Sequence, residues 1–190
     1  MEPVNPPVQK RPQPLRLTLI YLIVIAALIA GAVIRSNVTT SLDGFTFDEA
    51  YHIGSGISYV QTGDFRLNPE HPPLTKLWVG AYLSFVGHTL TPFRTMADKF
   101  DERAFVENDI YNNNDPDLVQ SRARAAMFAL NALLIALFAA AVWRVLGPLM
   151  AVGTTAFLAI DPTVAAHLPV VMTDLPVALL AGTSVLLSVL

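Results

Sequence analysis

The sequence predicts an all-α protein: a polytopic membrane helix bundle with one large polar loop between its first two membrane helices. Three observations predict it. Of the 190 residues 53% are hydrophobic and only 14% charged, against roughly 25% charged in an average soluble chain, and the mean hydropathy is +0.49. The charges are also confined, gathering between Arg35 and Arg124 and nearly vanishing from the apolar stretches on either side. Finally, the apolar runs have membrane-crossing length and are bounded by arginines.

Residues 1–16 carry five prolines together with Lys10, Arg11 and Arg16. Such a segment cannot pack a core and reads as a solvated cytoplasmic tail. Residues 17–34 follow as eighteen residues without a charge, about 27 Å of helix at ~1.5 Å per residue, close to a hydrocarbon core of ~30 Å. The run is long and no small-x-small cleavage pattern follows it, so it reads as an uncleaved anchor rather than a signal peptide. Residues 35–121 form the extracytoplasmic loop, and residues 122–190 hold membrane helices two to four. The second span is Ala125 to Trp143, bounded by Arg122, Arg124 and Arg144. Gly147-Pro148 turns the chain into a third helix near Leu149, which Asp161-Pro162 shortens or breaks. The fourth apolar run begins after Asp174 and is uninterrupted at Leu190, so the chain reads as the N-terminal piece of a longer protein, inactive by itself. Lys10, Arg11, Arg16 and Arg144 on one side, against Arg35, Arg122 and Arg124 on the other, place the N-terminus in the cytoplasm by the positive-inside rule.

Several function classes fall away. Cysteine is absent, which excludes disulfide frameworks, thiolate metal sites and cysteine nucleophiles. A net charge of −3 with no basic stripe gives no nucleic-acid footprint, and no repeat of solenoid period is present.

The chemistry lies in the loop. Thr46-Phe47-Asp48-Glu49 fits a capping box, with Thr46 as cap and Glu49 reaching back from the third position. Ala50, Ile53, Ile57 and Val60 then recur at spacings of three and four, one apolar stripe on a helix. Asp48, His52, Ser55 and Tyr59 gather on the opposite face. The helix is expected to lie along the membrane surface, apolar side down, with Asp48 and His52 presented to an aqueous cleft. A plainer reading stands beside this: Asp48 and Glu49 in a first turn interact favourably with the helix dipole, and His52 is then a surface residue.

A second segment, Gly63 to Leu74, is a turn-rich connector into another helix, whose first turn suits Pro72 and Pro73. Leu74, Leu77, Trp78, Ala81 and Phe85 form its buried or membrane-facing stripe. Glu70 and His71 sit at its N-terminus, where amides and dipole favour anions. Asp48, Glu70 and His71 form a candidate set for a divalent cation, although neither an HExxH nor an EF-hand pattern is present. Asp174 either caps the fourth helix or joins the site, since three crossings return it to the face of Asp48 and Glu70. Met96 to Asp117 reads as a mobile or loosely helical loop without chemistry.

These residues resemble a known family. Phe47-Asp48-Glu49-Ala50-Tyr51-His52, then Gly63-Asp64, then Glu70-His71-Pro72-Pro73-Leu74-Thr75-Lys76, is similar to the first extracytoplasmic loop of lipid-carrier-dependent glycosyltransferases of the GT-C fold. These are the protein O-mannosyltransferase and aminoarabinose-transferase-like enzymes. Thr173-Asp174-Leu175-Pro176 resembles their second acidic motif. The resemblance implies an inverting transfer of a sugar from a polyprenyl phosphate or pyrophosphate to a hydroxyl or amine outside the cytoplasm, in a bacterial inner membrane. The acceptor is a glycan, lipid or protein. It implies Asp48 as catalytic base and Glu49, His52, Glu70, His71 and Asp174 as residues lining or supporting the site. A positioned carboxylate accepting the acceptor's proton contributes ~10²–10⁴ in rate. The leaving phosphate needs positive charge or amide donors, for which Arg66, Lys76 or a metal ion are the candidates.

The rival reading is a non-catalytic transporter or assembly subunit whose acids only cap helices. Transporters place ionisable groups near the bilayer midplane, whereas here they stand at the boundaries and in the loop, which favours the enzyme.

Overall fold

A computed structural model describes residues 14–91 and 97–190. The expected tail over residues 1–13 and the start of the 96–117 loop at Met96 lie outside them. Among the described residues every regular element is a helix. These are α1 (Leu15–Thr40), α2 (Glu49–Thr62), α3 (Pro73–Phe85), α4 (Lys99–Val106) running into a π-helical stretch (Glu107–Asn112), α5 (Pro116–Leu146), α6 (Pro148–Ile160), α7 (Pro162–His167) and α8 (Asp174–Leu187).

Two of them, α1 and α5, are long and apolar enough to cross a membrane. At 26 and 31 residues they measure about 39 and 46 Å. Only 11% of the apolar window of α1 is buried, against 50% for α5, so α5 is the central helix and α1 a peripheral one. Leu19, Ile20, Leu22 and Ile23 of α1 stand exposed, as do Leu133 and Leu137 of α5. Lipid accommodates such a surface and water penalises it. Helices α6 and α8, with 13 and 14 residues, reach only about 20 Å each. The expected break after the third helix is present: α6 ends at Ile160, and Asp161 caps α7 by accepting the Val164 N–H at 2.9 Å.

The helices alternate in direction. Tyr21 of α1 meets Trp143 of α5 edge-on at 5.9 Å, while Arg124 near the start of α5 donates to the Thr40 carbonyl at the end of α1. Arg35 donates to the Ala159, Ile160 and Asp161 carbonyls at 3.1, 2.9 and 3.2 Å, satisfying the orphan acceptors at the end of α6. Ser36 donates to the Ala165 carbonyl of α7 at 2.5 Å. The last turn of α1, the start of α5, α7 and the start of α8 therefore share one end of the bundle, and α2 to α4 fold over that end.

Three expectations change. Helix α5 begins at Pro116 rather than beside Ala125, because Asp115 accepts the Asp117 and Leu118 N–H groups and Pro116 occupies the first turn. The 97–117 segment is ordered as α4 and the π-helical stretch, with Phe105, Val106 and Ile110 buried. Asp98 accepts the Phe100 and Asp101 N–H groups as its cap, and buried Asp109 pairs with His88 at 3.1 Å. Most importantly, α2 does not lie on a surface with its polar face in water: residues 52 to 59 are all buried. Helices α2 and α3 touch backbone to backbone at Gly56 and Gly80, where a methyl group on either glycine would collide with the carbonyl of the facing segment. Val106 and Phe105 close over Gly54 from the other side. The hydroxyls are satisfied inside, Ser58 on the Asp64 carbonyl and Tyr59 on the Leu67 carbonyl.

Candidate functional site

Helix α2 starts at Glu49, and the capping box is half formed. The Glu49 carboxylate accepts the Thr46 N–H at 3.2 Å, but no side chain caps the helix. The greater part of Glu49 is committed elsewhere. It is fully buried, and Arg124 donates to both of its oxygens, at 3.0 and 2.9 Å. Arg124 spends its remaining donors on the carbonyls of Thr40, Asp43 and Gly44. Glu49 thus anchors the loop between α1 and α2 to α5 and is closed to a substrate.

Asp48, one residue earlier, is half-exposed and makes no side-chain hydrogen bond or ion pair among the described residues. It lines a cleft of about 380 Å³ with Phe47, Tyr51, Asn68, Glu70, His71, Lys99 and Glu102. Asp48, Glu70 and His71, separated in sequence, are therefore brought to one wall system. Glu70 pairs with Lys99, which also pairs with Glu102 at 2.8 Å, and the Lys99 ammonium holds the Glu70 carboxyl below its usual range. Among the described residues no group of three or more His, Asp or Glu side chains is arranged to hold a metal ion. Asp48, Glu70 and His71 share the cleft without forming a ligand set.

His52 is not presented to water. It is 1% exposed, and its Nδ1 has no hydrogen-bond partner. Its ring lies edge-on to His71 at 4.8 Å between centroids. Burial first, then the nearby Lys76 and His71, push its pKa down to about 4, against the opposing pull of the Asp174 carboxylate. Asp174 itself is exposed at the first position of α8, so helix start and site neighbour are one position.

Neither Arg66 nor Lys76, the cations expected to meet a phosphate, lines the cleft. Arg66 folds onto Asp64, with bonds of 3.0 and 2.5 Å, and is absent from the cleft lining. Lys76 is fully buried. It donates to the carbonyls of Asn68 and His71 and lies 3.4 Å from the Tyr59 hydroxyl, and burial lowers its pKa to about 8. It is the clip that shapes the 68–71 connector. On α3 the stripe of Leu74, Leu77, Trp78 and Phe85 is exposed, and Thr75, Lys76, Val79, Gly80 and Leu83 face inward.

The residues that sequence reasoning missed are Arg124, Asn68, Lys99, Tyr51 and Glu102. The Asp98 cap before Phe100 and Phe105 signals α4, but no local pattern pairs Lys99 with Glu70. No protein-family model, characterised protein or solved structure matches the chain.

Proposed function

We propose that this chain carries the catalytic loop of an inverting glycosyltransferase that takes a sugar from a polyprenyl-phosphate carrier and places it on an acceptor hydroxyl or amine outside the cytoplasm. The observation that carries the reading is Asp48. It is a carboxylate without a side-chain partner among the described residues, lining a cleft with Glu70 and His71, at one end of a bundle containing two helices of membrane-crossing length. Of the motif residues that resemble the transferase loop, Phe47, Asp48, Tyr51, Glu70 and His71 line this cleft, and a lipid-borne donor is reached from the bilayer that α1 and α5 would span. The uncharged cores of α1 and α5 support chemistry at the membrane surface rather than passage through it.

In the proposed reaction the acceptor oxygen or nitrogen attacks the anomeric carbon from the side opposite the phosphate. The carbon–oxygen bond to the phosphate breaks with its electron pair leaving on the phosphate, and the configuration at that carbon inverts. Asp48 accepts the proton that the acceptor loses. Arg66, Lys76 and Lys99 are each engaged by protein acceptors, so none of them is assigned to the leaving phosphate. Multi-pass insertion, with the N-terminus in the cytoplasm and the cleft outside, completes the proposal.

The test is Asp48→Asn in the full-length protein, reconstituted in lipid with radiolabelled polyprenyl-phosphate sugar and membrane acceptor. Transfer is expected to fall by roughly 10²–10⁴ with the thermal midpoint unchanged. Transfer at the wild-type rate would remove Asp48 from the reaction.

A further inference from the structure

The cleft before α2 has hydrogen-bonding capacity left unfilled, part of it acceptors. Asp48 has no side-chain partner among the described residues. Asn68, on the connector that forms another part of the lining, is 6% exposed, and its Oδ1 has no partner either. Buried polar atoms are ordinarily paired, so an orphan against a cleft is a place where a ligand group belongs.

Asn68 is also held in an unusual backbone. Its φ is 50°, the one positive value at a non-glycine among the described residues. Two buried groups hold its carbonyl there, the Lys76 ammonium and the Tyr59 hydroxyl. Strained backbone that surrounding structure over-determines clusters where ligands are positioned. The connector is thus clipped by Lys76, and Asn68 is one of the residues lining the cleft.

The charge in the cleft limits what enters. Asp48, Glu70 and Glu102 are acids, and the lysine among them, Lys99, is already bound by Glu70 and Glu102. Such a lining repels a phosphate and attracts hydrogen-bond donors. Phe47, 87% exposed, stands beside Tyr51 at 6.2 Å between ring centroids and offers an apolar face for the C–H side of a sugar ring.

We infer that Asn68 is a substrate-contacting residue: its side-chain oxygen accepts a hydroxyl or ammonium of a sugar held between Asn68 and Asp48, with the carrier phosphate outside this cleft. That the donor-rich ligand is a sugar rests on the glycosyl-transfer reading.

The experiment measures binding of methyl α-mannoside and of methyl glucosaminide to the full-length protein in lipid nanodiscs, by saturation-transfer NMR. Permethylated methyl mannoside and inorganic phosphate are the comparison probes. Asn68→Gly keeps the left-handed backbone accessible and removes the amide, and Asn68→Asp keeps both the backbone and an acceptor. Both free-hydroxyl glycosides are expected to bind, weakened about tenfold by Asn68→Gly and retained by Asn68→Asp. The permethylated glycoside is expected not to bind, and phosphate not to compete. Equal binding by Asn68→Gly and wild type, binding of the permethylated probe, displacement by phosphate, or no glycoside binding would each overturn the inference. If Asp48→Asn abolishes transfer while Asn68→Gly binds normally, the assignment of Asn68 alone falls. If Asn68-dependent binding is found but wild-type protein transfers no sugar, the transfer reading falls and the sugar site stands.

Discussion

Glu49 and Arg124 stand 75 residues apart in sequence and form a bidentate pair at 3.0 and 2.9 Å, with Glu49 fully buried. The same guanidinium holds three carbonyls of the loop between α1 and α2. It thereby fixes the position of Asp48, one residue before its partner. Two adjacent acids of one motif therefore divide the work: one is locked into the structure and the other is left without a side-chain partner among the described residues.

Breaking such a pair leaves a buried charge uncompensated, which costs roughly 3–5 kcal/mol. Arg124→Leu is expected to lower stability by that amount, read from chemical or thermal unfolding in detergent. Replacing both partners, as Glu49→Met with Arg124→Leu, is expected to recover part of the loss, because no orphan carboxylate remains. The carbonyls of Asp43 and Gly44 would still lack their donor, so recovery is incomplete. Additive losses in the double variant would contradict direct coupling.

Helix α2 meets α3 with backbone against backbone at Gly56 and Gly80, whereas Gly153 in α6 has open space where a side chain would begin. The two sites should respond in opposite directions to the same change. Gly80→Ala pushes a methyl group into the carbonyl of Gly56, and overpacking of this kind costs roughly 1–3 kcal/mol. Gly153→Ala relieves the entropic cost of a glycine within a helix and should be stabilising by up to roughly 1 kcal/mol. Thermal midpoints of the two variants measured side by side decide it, and a stable Gly80→Ala protein would mean that the helices do not approach so closely.

The same crossing explains where the sequence could and could not be read. The uncharged runs of α1 and α5 and the Asp161-Pro162 break were legible because each is a local matter of hydropathy, length or proline. So was the grouping of Asp48, Glu70 and His71, since helix starts on one loop can meet. The burial of α2 was not legible. Of its period-3.6 stripe of Ala50, Ile53, Ile57 and Val60, the first three are buried and Val60 is exposed, but Gly54, Ser55 and Gly56 let partners close over the opposite side too. On α3 the apolar stripe of Leu74, Leu77 and Trp78 was visible, yet the Gly56–Gly80 contact and the Lys76 clip turn the other face inward. Arg124 looked like a membrane-boundary charge, because nothing nearby in sequence names its partner. Contacts set by long-range packing leave no periodic trace, and the cleft's Asn68 and Lys99 belong to that class.

Burial of His52 carries a pH signature whose direction follows from its surroundings. In the fold its pKa is pushed down to about 4 by burial, with Lys76 and His71 adding to the effect and Asp174 opposing it, from an ordinary value of 6.5. Between these values the unfolded chain binds a proton that the folded chain does not. Stability therefore falls as pH drops from 6.5 to 4; above that window His52 contributes no pH dependence, and below it the loss is complete and no longer changes with pH. The slope from one proton is at most about 1.4 kcal/mol per pH unit. His52→Gln removes the titrating group while keeping a polar side chain of similar reach. Unfolding of wild type and variant in detergent, followed across that window, should show the wild type losing stability more steeply on acidification. Below pH 4 the two curves should run parallel. Parallel curves throughout would mean that His52 takes up its proton in the fold as readily as in the unfolded chain, and hence that α2 opens to water there as its apolar stripe alone would suggest.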